Sequence, residues 1–312
     1  MEDLKYWIWF SRLENLSPKA LIMLLNKYNT PKNLFKRTEE QLLKDNIKEN
    51  YISQIINPTY RTNLDNYIKY MEKNNIDLIT IYDEIYPSKL KGIYDPPPIL
   101  YIKGNKEILN EKALSIVGCR DCTKYGEIIA RKLAYNLSLH NINIVSGLAK
   151  GIDSFSHIGA LKAKGKTIAV VGCGLDIVYP KENIKLFNEI IKSKGAIVSE
   201  HVIGAKPISY NFPKRNRIIS GLSDGVIVVE AKQKSGTLIT TDFALEQGKE
   251  IYAVPGNITS PNSYGTNELI KQGAKVVTTI EDILEDFWIK YLNFKAIYNI
   301  IIYILIGGYK NA

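Results

Sequence analysis

From residue 113 onward, short apolar runs alternate with segments of helical length, and this alternation constrains the fold more than any other feature. The runs are Ala113–Val117, Ile142–Ser146, Thr167–Gly172, Ala196–Ser199, Gly225–Glu230, Glu250–Val254 and Lys275–Thr278. They are continuous rather than alternately apolar and polar, which is typical of strands covered on both faces. The pattern predicts an α/β fold, a Rossmann-like parallel sheet covered by helices and joined by right-handed crossovers.

Residues 1–62 predict a small all-α N-terminal domain that resembles SAM or helix-hairpin-helix modules. Helix starts are indicated at Ser17–Pro18, at Thr30–Pro31 and at the capping-box pair Thr38 and Gln41. Such modules often bind nucleic acid or protein, but a packing role is an equally good interpretation.

The sheet domain is expected to span residues 63–287. It opens with a helical segment over 64–75 and a strand over Ile76–Ile81. The prolines of Asp95–Pro98 exclude a helix interior and indicate an extended approach to the main sheet. Residues 288–312 form a short hydrophobic C-terminal tail, too short for a full winged helix.

Composition narrows the class of protein without deciding its ligand. Hydrophobic residues make up 45% of the chain and charged residues 23%, so wholesale disorder is excluded. Three cysteines are too few for a secreted disulfide framework, and neither a signal peptide nor a membrane-spanning run is recognisable, so a cytoplasmic protein without membrane association is expected. The net charge of +9 is compatible with a polyanionic partner, but also with an ordinary lysine-rich protein.

The loops that follow the predicted strands hold the candidate site, because ligands of parallel sheets bind beyond the carboxyl ends of the strands. Their glycines allow backbone N–H groups to approach a ligand, their cations suit phosphate, and an aromatic ring offers a stacking face for a base. The candidate residues are Gly118, Arg120, Ser146, Gly147, Lys150, Gly151, Phe212, Lys214, Arg215, Asn216, Arg217, Ser235, Gly236 and Thr237, with Tyr179 or Tyr210 as a second aromatic face. The five cations are expected to meet at one exposed edge. In the alternative interpretation the glycines are simple turns and Lys214, Arg215 and Arg217 form a solvated helix face.

Known catalytic and cofactor motifs are mostly absent from the sequence. The glycines after the first and third runs do not complete a dinucleotide fingerprint, and there is no Gly-Lys-Ser/Thr phosphate loop. Cys119 and Cys122 lack a second pair of metal ligands. His157 is expected to be a structural hydrogen bonder, Asp153 to order a loop, and Glu230 to orient a neighbouring Arg or Lys. No catalytic residue, metal or cofactor is therefore predicted, which favours binding over catalysis.

At this level of detail the sequence resembles the DNA-processing protein A family (DprA/Smf) over about residues 80–280. The matching motifs are Ile116–Arg120, Val145–Asp153, Gly174–Asp176, Tyr179–Pro180, Ser199–Glu200, Phe212–Ile219, Ser235–Thr240 and Val254–Gly256. The resemblance implies a dimeric, non-enzymatic protein that binds single-stranded DNA and protects it during natural transformation. It also implies loading of the RecA recombinase onto that strand, with single-strand-binding protein as a further partner.

Two departures from the family and one competing function accompany the resemblance. Cys119 stands where the family usually has serine, and Lys150 where arginine is common, so the bidentate fork for phosphate is lost there. Alternatively, Ser235–Thr237 with Glu246 is reminiscent of nucleoside-monophosphate phosphoribohydrolases, and the same loops would suit a nucleotide-sensing module.

Overall fold

The computed structural model describes residues 3–14 and 16–286, so the predicted tail at 288–312 lies outside the described residues. The strands of these residues form one sheet in the order β1-β2-β6-β5-β4-β3-β7-β8-β9. Their bounds are β1 Ile76–Thr80, β2 Ile99–Gly104, β3 Ala113–Val117, β4 Asn143–Ser146, β5 Thr167–Val170, β6 Ala196–Ser199, β7 Gly225–Val228, β8 Glu250–Ala253 and β9 Lys275–Val276. β3 to β9 pair in parallel, so the predicted α/β fold with a parallel sheet is confirmed.

Helices cover the sheet and precede it. Their bounds are α1 Leu4–Ser11, α2 Pro18–Tyr28, α3 Pro31–Phe35, α4 Glu39–Lys44, α5 Glu49–Ile55, α6 Pro58–Arg61, α7 Leu64–Lys73, α8 Ser88–Lys91, α9 Lys124–Leu139, α10 Ile152–Lys162, α11 Ile184–Lys192, α12 Asn211–Gly221, α13 Gly236–Glu246 and α14 Tyr264–Lys271. Within the described residues, none of these helices has both the length and the apolar composition needed to cross a bilayer.

The predicted helix starts of the N-terminal region are confirmed in detail. The Ser17 hydroxyl accepts the backbone N–H of Ala20 at the start of α2. At the start of α4, Thr38 and Gln41 exchange side chain to backbone hydrogen bonds in both directions, as a capping box requires. Each bond satisfies an N–H that the helix itself cannot pair.

The segment after Asp95–Pro98 differs from the prediction, because it is a strand of the main sheet and not merely an approach to it. β2 pairs antiparallel with β6, and β1 pairs antiparallel with β2. The central residues of β2 are fully buried, since helices and sheet enclose them. The pair β1–β2 therefore extends the parallel sheet by two strands on the β6 side.

The N-terminal helices share one apolar core with this side of the sheet. Trp9 and Phe10 of α1 belong to the same buried cluster as Tyr101 of β2. The Ser11 hydroxyl and the Tyr101 hydroxyl lie 2.6 Å apart in a hydrogen bond. The boundary at 62/63 stays a prediction, but the helical region is held against the sheet by direct packing.

Candidate functional site at the carboxyl edge of the sheet

The strands β6, β5, β4 and β3 are adjacent and parallel, so their carboxyl ends lie at one edge of the sheet. The neighbouring strands β7 and β8 run in the same direction and end at the same edge. This carboxyl edge receives the loops that begin at Gly118, Gly147, Val171 and Glu200. Helix α12 starts there too, and brings the Phe212–Arg217 segment to the same place. The predicted gathering of distant loops at one edge is thus produced by the topology.

A rim cluster of Arg120, Tyr179 and Phe212 forms the centre of this edge. The Tyr179 and Phe212 rings lie 5.4 Å apart between centroids with a tilt of 34°. The Arg120 guanidinium lies 5.7 Å from the Phe212 centroid. Arg120 and Tyr179 are exposed, and Phe212 rests against Gly172, where an added Cβ would lie 3.2 Å from the ring. The cluster therefore presents one cation and two aromatic faces, drawn from two loops and the first turn of α12.

Two exposed lysines lie in the same edge segments, Lys150 in the loop after β4 and Lys214 in the first turn of α12. Lys214 lies with its ammonium 3.9 Å from the centroid of Tyr210, itself 65% exposed. Lys150 makes a 2.6 Å ion pair with Glu182, and the hydrogen bonds of this pair raise the pKa of Lys150. The next residue, Asn183, donates its amide to the Leu148 carbonyl at 2.8 Å, which fixes the two loops together.

Arg215 lies beneath the rim rather than on it. Only 4% of the side chain is exposed, and Nη1 donates to the carbonyl of Gly147 at 2.8 Å and to the carbonyl of Val170. Desolvation lowers the pKa of Arg215 to about 10, so the group is still charged at neutral pH. The guanidinium therefore ties the loop after β4 to the end of β5 from below the surface.

Asp153 is the acidic counterpart of Arg215. Its carboxylate accepts the N–H of Gly147 at 3.1 Å and the N–H of Ala149 at 3.4 Å. Burial raises the pKa of Asp153, while the charge of Arg215 and these backbone hydrogen bonds oppose that rise. The loop-ordering role predicted for Asp153 is confirmed by these bonds.

The expectation that all five cations are exposed at the edge is wrong for Arg215 and Arg217. Arg217 is 2% exposed and donates from Nη1 and Nη2 to the two Glu200 oxygens at 2.8 and 2.6 Å. Its Nε lies 3.0 Å from a carboxylate oxygen of Asp95. Because α12 packs one face against the sheet, Arg217 points inward, where two carboxylates neutralise it. Arg217 therefore joins α12 to the loop after β6 and to the Asp95–Pro98 segment.

The predicted glycines serve close packing within the edge. A Cβ on Gly118 would lie 2.6 Å from Ile152, and a Cβ on Gly147 would lie 2.6 Å from Arg215. Gly151 has a φ of +76°, and a Cβ there would lie 2.3 Å from the Arg120 carbonyl oxygen. These glycines let the loop that carries Arg120 lie directly on the start of α10.

The remaining predicted residues form two separate groups. Ser146 is fully buried, and its hydroxyl donates to the Ile116 carbonyl at 2.7 Å, so it joins β4 to β3. Ser235 caps α13 by accepting the Thr237 N–H, and the Asn216 amide donates to the Gly236 carbonyl at 3.3 Å. Gly236 faces open space.

The spacing of α13 removes the geometric basis for the phosphoribohydrolase alternative. Thr237 lies in its first turn and Glu246 is its last residue, so the length of the helix, about 14 Å at 1.5 Å per residue, separates them. The two side chains do not form one reaction centre.

Glu230 orients a hydroxyl and an amide instead of the predicted cation. Its carboxylate accepts the Thr123 N–H at 2.9 Å, the Thr123 hydroxyl, and the Asn262 amide at 3.2 Å. Its own carbonyl accepts the N–H of Cys119 at 2.9 Å. These bonds hold both ends of the loop that carries Arg120.

His157 has the structural role that its position in the sequence suggested. Its Nδ1 lies 2.7 Å from the Thr167 hydroxyl, and burial lowers its pKa to about 3. Across residues 3–14 and 16–286, no group of three or more His, Cys, Asp or Glu side chains is arranged to hold a metal ion.

Glu182 and Asn183 are the site residues that sequence reasoning missed. The loop that carries them contacts the 148–150 loop across more than 30 residues of chain. No local pattern in the sequence signals that contact.

Sequence comparisons place the chain among DNA-processing proteins. The family described as DNA recombination-mediator protein A matches residues 77–288. The chain is 39% identical to DNA processing protein DprA of Bacillus subtilis over 287 residues, which covers 92% of this chain and 96% of that protein. It is 46% identical to DprA of Streptococcus pneumoniae over 208 residues, 67% of this chain and 73% of that protein.

Two solved structures agree with this assignment. DprA from Streptococcus pneumoniae superposes with a TM-score of 0.72 at 37% identity, covering 90% of this chain and 97% of that one. DprA from Helicobacter pylori, whose structure was described for its single-stranded DNA binding mode, gives a TM-score of 0.62 at 31% identity, covering 69% of this chain and 96% of that one. With this fold, these loop motifs and relatives matched over most of their length, the chain belongs to the DNA recombination-mediator protein A family.

Proposed function

We propose that the carboxyl edge of the sheet binds single-stranded DNA. The observation that carries the proposal is the rim cluster, in which an exposed arginine and two neighbouring aromatic rings lie on one surface. An unpaired strand exposes both its phosphates and the faces of its bases, whereas a duplex hides the base faces in its stack. Stacking on an aromatic side chain is worth about 1–3 kcal/mol per base, and cations alongside track the backbone.

The roles of the individual residues follow from their exposure. Arg120, Lys150 and Lys214 contact phosphates, and Phe212 with Tyr179 stacks on bases. The partly exposed residues Gly118, Gly151 and Asn216 line the path of the strand, whereas Ser146, Gly147 and Thr237 are buried beneath it. Arg215 and Arg217 are positioning residues, because their guanidinium groups are engaged by carbonyls and carboxylates below the surface.

The proposed biological role is protection of incoming single strands during natural transformation, and their delivery to the RecA recombinase. Membership of the family, and the single-strand binding described for the Helicobacter pylori relative, support this role. The protein acts in the cytoplasm as a homodimer, with single-strand-binding protein as a further partner, and makes or breaks no covalent bond. The site's cations and rings suit binding, and its buried acids are occupied in holding loops.

Arg120→Ala tests the proposal most simply. Oligothymidylate affinity is expected to fall by about 1–3 kcal/mol, roughly 5- to 150-fold. The slope of log K against log salt is expected to fall by about 0.7, the value for one phosphate contact on a single strand. The measurement is fluorescence anisotropy across a salt series, with a duplex of the same length for comparison.

Lys192→Ala is the matched control for this variant. Lys192 is an exposed cation in the last turn of α11, just before β6 begins, and so lies at the opposite edge of the sheet. Its loss should leave affinity and salt slope unchanged. Equal losses in the two variants would show that binding depends on overall charge and not on the rim cluster.

A further inference from the structure

A cleft in the N-terminal helices collects positive charge away from the carboxyl edge. It has a volume of about 440 Å³, and its lining includes Lys5, Tyr6, Phe35, Arg61, Asn63 and Asn66. None of these residues belongs to the rim cluster or to the loops around it. The cleft therefore needs an explanation of its own.

Arg61 is held in place as a planar donor on the wall of this cleft. Its Nε and Nη2 donate to the Ile55 carbonyl at 3.2 and 3.0 Å. Its guanidinium lies 4.4 Å from the Phe35 centroid and 5.8 Å from that of Trp9. A guanidinium has five N–H donors, so donors on Nη1 are left for a ligand. Because the side chain is already fixed, little further conformational entropy is lost when an anion binds.

Lys5 brings a second cation to the same cleft. Its ammonium lies 5.2 Å from the Tyr6 centroid, and Tyr6 in turn packs edge-on against Phe35 at 5.2 Å. Within residues 3–14 and 16–286, no carboxylate forms an ion pair with Lys5 or Arg61. Asp65 also lines the cleft and is the charge that opposes them. Two cations against one acid leave a net attraction for an anion.

Helix α7 connects this cleft to the carboxyl edge. It starts at Leu64, in the cleft lining, and six residues later carries Tyr70. Desolvation raises the pKa of Tyr70, and the charge of Asp176 raises it further, so that charge acts on the tyrosine. Asp176 belongs to the same loop as Tyr179 of the rim cluster. The six residues from Leu64 to Tyr70 span about 9 Å along the helix axis, which is one part of the way from the cleft to the rim cluster.

We propose that the Lys5–Arg61 cleft is a second subsite, which holds a backbone phosphate of the same single strand that binds at the rim cluster. The inference rests on the proposed function and adds a path for the strand over α7. A planar arginine backed by aromatic rings suits a phosphate oxygen pair, and the side-chain amides of Asn63 and Asn66 supply neutral donors. Only strands long enough to leave the rim cluster reach the cleft.

The test compares a short oligothymidylate of about six nucleotides with a long one of about 25, both on the full chain. Lys5→Glu and Arg61→Gln should each weaken binding of the long strand by about fivefold or more at low salt, and of the short strand by less than twofold. Asp65→Asn should strengthen binding of the long strand, a gain that misfolding cannot produce. Lys44→Glu, the same charge change outside the cleft lining, should leave both affinities unchanged.

The outcomes separate this inference from the proposed function. If neither strand binds the unaltered protein, both are overturned. Two results would overturn only the subsite when the unaltered protein binds both strands. In one, Lys5→Glu and Arg61→Gln leave the affinity for the long strand unchanged; in the other, they lower the affinities for both strands equally. The subsite is also overturned if a polyglutamate peptide binds the cleft in a Lys5-dependent way while the long strand is unaffected, because the cleft would then serve an acidic protein segment.

Discussion

The ion pair between Arg217 and Glu200 predicts a large loss of stability when one partner alone is neutralised. Glu200→Gln keeps the shape of the side chain but leaves a guanidinium that is 2% exposed with Asp95 as its remaining counter-charge. Burial disfavours the charged carboxylate, yet the Arg217 charge and hydrogen bonds outweigh it and hold the pKa of Glu200 below its usual range. Removing one partner of a buried pair costs about 3–5 kcal/mol. Because Asp95 remains, we expect about 3 kcal/mol, at the lower end of that range.

The assay is urea unfolding of the full chain followed by circular dichroism, with the slope of the transition checked for each variant. The double variant Arg217→Met/Glu200→Met should recover most of the lost stability, since an apolar pair of similar size often replaces a buried ion pair without penalty. Oligothymidylate affinity of the double variant should stay within about threefold of the unaltered protein, far less than the loss expected for a direct contact. Unchanged stability of Glu200→Gln would refute the structural role of the pair. A tenfold loss of affinity in a stable double variant would show instead that Arg217 contacts DNA.

Three further predictions concern stability and can be measured by the same unfolding assay. The pKa of His157 is about 3 in the folded protein and 6.5 in the unfolded chain, so below about pH 6.5 the unfolded chain binds a proton that the folded protein does not. Stability therefore falls as the pH drops below about 6.5, by at most about 1.4 kcal/mol per pH unit. His157→Gln should flatten that fall between about pH 6 and 5, and an equally steep curve would contradict it. Gly151→Ala should lower the free energy of unfolding by about 2 kcal/mol or more and weaken oligonucleotide binding, because the new Cβ would meet the carbonyl oxygens of residues 119 and 120. Its control is Gly236→Ala at a position that faces open space, which should lower the free energy of unfolding by less than about 0.5 kcal/mol. Thr38→Ala should remove about 1 kcal/mol by breaking a capping box, and no change would mean that water replaces the cap.

The parallel part of the fold was predictable because its signals are local. Each buried strand is a continuous apolar run, and each confirmed helix start is written in adjacent residues such as Ser17 and Pro18. β2 was not recognised, because its pairing with β6 joins residues almost a hundred positions apart, and the prolines before it resemble a linker. The sequence carries no signal for that pairing.

The position of the candidate site was predictable, but the state of its cations was not. Parallel strands bring their following loops to one edge, so Arg120 and Phe212 were expected to meet, as they do. Whether a cation on α12 is exposed depends on partners distant in sequence. Arg217 meets Asp95 across 122 positions, and Arg215 meets Gly147 across 68. Charge type can be read from the chain, but the direction in which a side chain points required the packed structure.

The most direct test of a single strand held at the carboxyl edge is photo-cross-linking of a thymidine oligomer carrying 5-iodouracil, with the attached peptide identified by mass spectrometry. Stacking of bases on the rim cluster predicts cross-links at Tyr179 or Phe212, lost when the strand is competed with unlabelled oligonucleotide. Cross-links confined to peptides at the opposite edge of the sheet, such as the one containing Lys192, would contradict it.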